Sequence, residues 1–312
     1  MVRKNSDDNS IEIKQISKGN KRIMTSENKG SKTIYDVAIC GSGLAGLTLA
    51  RQLKLNNPNL SIIALDKLSD RVPEATFKVG ESTVYAGAYY LSNVLQLEDY
   101  FKKNHLIKLG LRFFFGDARG LFKERPELGL SEFPPAPESY QIDRGHLEKE
   151  LRLLNQQMGV EIQHHCSVTD IELAEKREKP HKIFYSHKDE KKKYICEARW
   201  VIDAMGRRRF LQKKLGLGKP NNPNFNAVWF RVQGRIDVSD FVPITERSWH
   251  DRVPENKRYY STNHLCGEGY WIWLIPLASK HTSIGIVAKE EIHAFKEFHT
   301  YELAYKWLEK YE

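Results

Sequence analysis

The sequence predicts an α/β fold in two layers: a domain of parallel strands and covering helices, interrupted by a mainly antiparallel β-sheet. Three observations lead there. The apolar run Tyr35-Asp36-Val37-Ala38-Ile39-Cys40 meets a glycine-rich turn and then a helix-spaced segment. A second run, Ser61-Ile62-Ile63-Ala64-Leu65-Asp66, completes a strand–helix–strand unit of about 30 residues. From Asn226 to Val287 the chain becomes β-rich and aromatic-rich, with Trp229, Phe230, Tyr259, Tyr260, Tyr270, Trp271 and Trp273.

The elements follow in order. Residues 1–33 are polar, charged and aperiodic and are expected to form a disordered tail. The first strand is a continuous apolar run of the kind buried in parallel sheets. In the segment after it, Leu49, Ala50 and Leu53 share one helical face, and Asn56-Asn57-Pro58-Asn59 stops the helix. Asp143 is placed to cap a helix that opens at Arg144 and runs through Leu151. Val160 to Val168 reads as a strand. Two or three strands lie between Ile171 and Glu197, with Lys191-Lys192-Lys193 at a hairpin tip, and Trp200-Val201-Ile202-Asp203 reads as a further buried strand. Residues 290–312 read as one amphipathic helix. The expected division is 34–105 with 140–218 for the first domain, 106–139 with 219–290 for the antiparallel layer, and 291–312 for a C-terminal helix.

The net charge of +9 does not point to nucleic acid. The tail holds eight Lys/Arg against four Asp/Glu, the remaining excess is spread along the chain, and no recognition motif accompanies it. Cys40, Cys166, Cys196 and Cys266 have neither C-x-x-C nor zinc spacing. Cys40 ends an apolar strand, so buried reduced thiols and a reducing, cytoplasmic setting are expected. His164-His165-Cys166 has metal-ligand residue types, but neighbours on a strand point to opposite faces, and no metal site is expected. No run of about 18 apolar residues is present, so no membrane-spanning helix is expected. The N-terminus has no apolar signal core.

The turn Gly41-Ser42-Gly43-Leu44-Ala45-Gly46 has G-x-G-x-x-G spacing. Its context supplies the rest of a dinucleotide fingerprint: a strand before, a helix after, and the acid Asp66 twenty positions beyond Gly46. Gly41 permits the tight turn, Gly43 lets the backbone approach a pyrophosphate, and Gly46 lets helix pack closely on strand. The helix N-terminus offers unpaired N–H groups and the positive end of its dipole. Asp66 is placed to accept from a ribose hydroxyl. The pattern predicts a Rossmann-like FAD/NAD(P)-binding domain without choosing between the two dinucleotides.

Two later segments bear on that choice. Asp203-Ala204-Met205-Gly206 follows an apolar run, and Arg144 opens a helix after Tyr140-Gln141-Ile142-Asp143. With the glycine turn they resemble the three flavin-contacting segments of the FAD-dependent aromatic hydroxylase superfamily. The resemblance implies FAD as cofactor and Arg144 near the flavin. It also implies that Asp203, in a segment with Gly206, carries the carboxylate that meets the ribityl and pyrophosphate region. Three more segments narrow it. Val79-Gly80-Glu81-Ser82-Thr83 is similar to the G-E-S/A-T loop of flavin-dependent halogenases, Trp271-Ile272-Trp273-Leu274-Ile275-Pro276 matches their W-x-W-x-I-P signature, and Leu106 to Phe114 resembles their lysine-bearing strand. The likeness spans about residues 34 to 290 and implies that Gly80, Glu81, Ser82 and Thr83 lie beside the flavin.

The resemblance also implies a chemistry. In that family reduced flavin and dioxygen give a hydroperoxide, halide attack yields hypohalous acid, and a lysine positions it beside an aromatic or other activated carbon of a small-molecule substrate. Lys108 is the matching lysine and the expected catalytic residue. Alternation predicts Ile107, Leu109, Leu111 and Phe113 on a core face, with Lys108, Gly110 and Arg112 on the other. No second glycine-rich motif offers a nicotinamide site, so a separate flavin reductase is the expected partner. A late G-D segment with a proline turn, which closes the flavin-ring pocket in the family, is not found before Glu312. A truncated or interrupted chain is therefore expected. Two other readings stay open: an FAD-binding remnant without catalysis, and a hydroxylase or reductase relative that does not halogenate. A plain NAD-dependent dehydrogenase leaves Gly80–Thr83 and Trp271–Pro276 without explanation.

Overall fold

The computed structural model describes residues 34–69, 78–129, 138–188, 190, 192–254 and 256–312. The expected tail at 1–33 and the tip residue Lys191 lie outside them. The described residues belong to one compact unit, Thr33–Glu312.

β1 (Ile34–Cys40) and β2 (Ile62–Leu65) pair in parallel and are joined by α1 (Leu44–Asn56). All of β2 and the last four residues of β1 are buried, as burial on both sheet faces requires. Ala50, Leu49 and Leu53 of α1 pack on Val37, Ile39, Ile62 and Ala64. α2 (Tyr85–Tyr89), a π-helical turn and α3 (Glu98–Asn104) lead to β3 (Leu106–Lys108), β4 (Leu111–Phe115), β5 (Glu127–Gly129) and β6 (Ser139–Gln141). α4 (Arg144–Gln157) starts behind its cap, where Asp143 Oδ1 accepts from Gly145 N at 3.2 Å.

Val160–Val168 is not one strand. β7 (Glu161–Gln163) ends before His165, which adopts φ 57°, and β8 (Cys166–Glu172) begins after it. β9 (His181–His187) and β10 (Lys193–Asp203) form a hairpin. Trp200 lies inside the 11-residue β10 and is exposed, so no separate buried strand starts there. α5 (Phe210–Lys214), β11 (Phe225–Gln233), α6 (Arg247–His250), α7 (Lys257–Tyr260), β12 (Thr262–Gly267), β13 (Tyr270–Pro276) and β14 (His281–Lys289) follow. The helix expected over 290–312 is confined to α8 (Tyr301–Tyr311). Thr300 fixes its start by accepting from Leu303 N at 3.3 Å, satisfying a donor the first turn leaves unpaired.

Among the described residues two six-stranded sheets form. The first has the order β7-β2-β1-β10-β9-β8, parallel as far as β10. The second, β11-β14-β13-β12-β4-β5, is antiparallel apart from the β4–β12 pair. One face of the second sheet, with Phe114, Ile272, Leu274, Ile284 and Ile286, packs on Phe298, Ala304 and Trp307 to make the larger core. The opposite face carries the register row Phe113–His264–Trp273–Gly285–Trp229.

The alternation expected over residues 107–113 fails. Gly110 at φ 93° turns the chain between β3, which pairs with β6, and β4, which joins the second sheet. The two halves therefore pack against different sheets, and Lys108 is buried on one side of the turn and Arg112 on the other. Leu111 is exposed and Arg112 buried, the reverse of the expected faces. Arg112 tolerates burial because Glu127, itself gripped by Arg258, takes its guanidinium at 2.8 Å.

Candidate functional site

The glycine turn joins β1 to α1. Gly41 has φ 101°, and a Cβ there would stand 2.6 Å from the Ala204 carbonyl oxygen. A Cβ at Gly46 would stand 2.0 Å from the Gly41 carbonyl oxygen. Both positions are closed to side chains by the chain's own backbone. Gly43 differs: its φ is an ordinary −81°, and a Cβ would meet nothing within 4 Å. The chain leaves that side open, toward a cavity at the N-terminus of α1.

Asp66, just past β2, is buried beside this turn. It accepts from Ser42 N at 3.1 Å, from the Ser42 hydroxyl and from Leu68 N at 2.9 Å, with Arg152 Nη2 at 3.6 Å. Burial opposes ionisation, but these hydrogen bonds and the Arg152 charge outweigh it and hold the carboxyl below its usual range. Arg152, from α4, also donates to Ser42 Oγ at 3.0 Å and to the Ser42 carbonyl at 3.3 Å.

The Gly80–Thr83 loop is fastened on three sides. Glu81 is buried and receives Arg231 of β11 at 2.6 Å, and Arg231 also reaches Asp143 at 3.2 Å. Ser82 and Thr262 share a hydroxyl hydrogen bond of 2.8 Å. Thr83 N donates to the Tyr140 carbonyl at 3.0 Å, and Lys108 Nζ donates to the Thr83 carbonyl at 2.6 Å. Lys108 is only 3% exposed, and burial pushes its pKa down to about 8. Burial also lowers that of His264, with the Lys108 charge adding to the effect. His264 stacks on Phe113 at 4.9 Å and faces Trp273 across the β12–β13 register. Trp271 and Trp273 share a sheet face, as their spacing implies, and Trp273 Nε1 donates at 3.2 Å to Ser283, the cross-strand neighbour of Arg231. The tryptophan strand and the Gly80–Thr83 loop thus meet around Arg231.

A cavity of about 950 Å³ runs from Asp66 and Cys166–Val168, past the glycine turn and the Ala204–Arg208 turn, to Lys78, Arg144, Glu148 and Trp229. Gly41, Gly43, Asp66, Arg144 and Gly206 line it, whereas Gly46, Gly80–Thr83 and Lys108 are not among its lining residues. Arg144 donates to the Val79 carbonyl at 2.8 Å and pairs with Glu148 at 2.5 Å; Glu148 also takes Lys78. The residues fit a dinucleotide: an open glycine at a helix N-terminus, an ionised acid at one end, cations along the wall, and a volume within the range of cofactor sites.

Asp203 is not among the lining residues. Its carboxylate accepts from Met205 N at 3.1 Å and Leu211 N at 2.8 Å and so holds the turn after β10. The sequence reading missed Ser42, Glu148, Arg152, Trp229 and Arg231. All but Trp229 act through charge pairing or hydrogen bonding between residues at least 24 apart in sequence or along a helix face, and Trp229 carries no motif of its own. The four cysteines are free thiols, and among the described residues no group of three or more His, Cys, Asp or Glu side chains converges to hold a metal. Cys166 donates to the His164 carbonyl at 3.2 Å, so that segment closes on itself.

No protein-family model matches the chain. The flavin-dependent halogenase chlA of Dictyostelium discoideum is 29% identical over 283 residues, covering 81% of this chain and 44% of the relative. A 1H-pyrrole-2-carbonyl peptidyl-carrier-protein chlorinase of Pseudomonas fluorescens is 26% identical over 287 residues, 86% of this chain and 58% of the relative. The crystal structure of halogenase PltM superposes with a TM-score of 0.66 at 20% identity over 87% of this chain and 56% of that one, and PltM has also been solved with phloroglucinol and FAD. The chain thus spans about half the length of these relatives. No described helix is long and apolar enough to cross a membrane. Over most of its described length this chain is similar in sequence to flavin-dependent halogenases, and it shares the fold of halogenase PltM.

Proposed function

We propose that the chain binds FAD and supplies the flavin site of an oxidoreductase of the monooxygenase or halogenase type, acting on an aromatic or other activated carbon of a small molecule. The observation that carries this reading is the single cavity shared by Gly43, Asp66, Arg144 and Gly206, with the Gly80–Thr83 loop bound to both the Lys108 strand and the tryptophan sheet. Gly43 and the α1 N-terminus would receive the diphosphate, Asp66 the adenosine ribose, and Arg144 with the loop the ring end. FAD, when bound and reduced, supplies the dioxygen-activating chemistry. Lys108 holds a cationic donor on the far side of the loop. One of its N–H bonds is committed to Thr83, which orients the others.

The first domain would be built from residues 34–105 and 140–218 and the second from the sheet segments of 106–139 and 219–290, with reduced flavin delivered by a separate reductase in the cytoplasm. Nucleic acid has no place in this reading. The test is an FAD titration of the purified chain followed by turnover with reduced flavin and halide. Stoichiometric oxidised-flavin absorbance and a halogenated product that disappears in Lys108→Ala are expected. Absence of flavin binding sinks the reading. A hydroxylated product indifferent to chloride and bromide moves it to the hydroxylases, and bound flavin without turnover reduces it to the binding function alone.

A further inference from the structure

In the cavity wall formed by the turn after β10, Arg207 and Arg208 have no assigned role. Five cationic side chains line the cavity, Lys67, Lys78, Arg144, Arg207 and Arg208, against two carboxylates, Asp66 and Glu148. Both carboxylates are already neutralised. Asp66 is held by Ser42 and Arg152, and Glu148 by Lys78 and Arg144. Arg207 and Arg208 are exposed, and among the described residues neither makes an ion pair; Arg208 only leans over the Phe210 ring at 5.0 Å and toward Met205 Sδ at 3.8 Å. The unpaired positive charge of the cavity therefore rests on Arg207 and Arg208 of this turn and on the exposed Lys67.

The turn is built to stay where it is. Ala204 N donates to the Cys40 carbonyl at 2.8 Å, which sets it directly against the β1 end of the glycine turn. The Ala204 carbonyl lies so close to Gly41 that no Cβ fits between them. Asp203 clamps both ends of the turn through Met205 N and Leu211 N, and Arg209 closes it in the left-handed region at φ 48°. An arginine pair carried by a fixed turn, lining the same cavity as the open Gly43, suits a doubly charged, fork-shaped acceptor.

We propose that Arg207 and Arg208 bind the diphosphate of the dinucleotide from the side opposite α1, with Asp203 as the positioning residue that holds their turn. The assignment rests on the FAD reading above. It makes the arginine pair, rather than the helix terminus alone, the source of selectivity for a diphosphate over an uncharged nucleoside.

The experiment compares FAD, ADP and adenosine binding by calorimetry in the wild-type chain, Arg207→Ala/Arg208→Ala and Arg207→Lys/Arg208→Lys, at low and high salt. Both side chains are exposed, so the variants are expected to fold, and circular dichroism checks it. Expected is a loss of about tenfold or more in FAD and ADP affinity in the alanine pair, partial recovery in the lysine pair, a shallower salt dependence, and unchanged adenosine affinity. An alanine pair that binds ADP as the wild type does, or that loses adenosine and ADP in parallel, overturns the arginine assignment and leaves the FAD reading standing. A wild-type chain that binds neither FAD nor ADP overturns both.

Discussion

Among single residues, the glycines of the first turn separate folding from binding. Gly46→Ala drives a Cβ to 2.0 Å from the Gly41 carbonyl, a backbone atom that cannot yield, and is expected to cost about 1–3 kcal/mol or more of stability. Gly43→Asp meets nothing within 4 Å and keeps an allowed φ, so its denaturation midpoint should match the wild type. Its carboxylate would occupy the place proposed for the diphosphate, so FAD retention should be lost; a folded Gly43→Asp chain with full flavin content would refute that placement. Lys108 makes a different kind of test. Its pKa is about 8 in the fold against an ordinary 10.5, because burial disfavours the charged form. Between those values the unfolded chain binds more protons, so the Lys108 contribution to stability rises with pH across that window. Below pH 8 the burial penalty is present in full, and by pH 10.5 it has gone. Urea titrations should show Lys108→Met losing its advantage over the wild type by up to about 3 kcal/mol across this range. Parallel pH profiles for the two proteins would mean that the Lys108 ammonium is not buried.

At the level of elements, α4 and α3 meet through a neutral histidine. His105, at the end of α3, accepts from Asp143 N at 3.3 Å, which requires an unprotonated Nδ1. Burial lowers its pKa to about 4, only partly opposed by the Asp143 charge. The unfolded state takes up the proton first as pH falls, so the stability His105 contributes is complete above its ordinary 6.5 and is lost on the way down to 4. Between those pH values the wild type should lose up to about 3 kcal/mol more than His105→Phe, read from the pH dependence of the urea midpoint. Equal losses in the two proteins would place the acid sensitivity elsewhere. Nothing in the local sequence marks His105 this way, because its partner is 38 residues on. The elements legible in the sequence were those set by local rules: the β1–α1–β2 unit, the Asp143 cap, and the shared face of Trp271 and Trp273. The faces expected over residues 107–113 failed because Gly110 passes the chain from β3, paired with β6, to β4 in the second sheet, whereas period-two reasoning assumes one continuous strand. The helix over 290–312 was drawn too long because its apolar residues serve turns that pack under the second sheet; Phe298 is fully buried ahead of the Thr300 cap. The part Asp203 plays in holding its turn is not legible in the motif, because one of the two backbone N–H groups it accepts from is eight residues away.

Across the whole molecule, one buried guanidinium ties the second sheet both to the Gly80–Thr83 loop and to the start of α4. Arg231 projects from β11 of the second sheet, with its side chain 1% exposed, and grips Glu81 of the loop and Asp143 at the start of α4. Burial raises the Glu81 pKa, and Arg231 opposes that shift; Asp143 is held below its usual range despite burial, in part by the same charge. A buried ion cluster of this kind contributes little net stability when intact but is costly to break, because the survivors are left charged and unpaired. Arg231→Leu strands two carboxylates at once and should cost about 3–5 kcal/mol at neutral pH. Removing the charges as well should return much of that loss, so Arg231→Leu/Glu81→Gln/Asp143→Asn is expected to be markedly more stable than the single variant. The single variant should also recover stability on mild acidification, since protonation relieves the stranded carboxylates, whereas the triple variant should not. The functional consequence is separate from the stability. Glu81 is the only loop residue tied to β11, so in the neutral triple variant the loop loses its charge-assisted hold on the tryptophan sheet while the fold survives. FAD binding through the glycine turn should then persist, and the Lys108–Thr83 contact should loosen, seen as a Lys108 pKa moving back toward 10.5 in a chemical-labelling titration. A triple variant as unstable as Arg231→Leu, or a Lys108 that titrates as in the wild type, would show that the second sheet and the loop are coupled by apolar packing and not by this cluster.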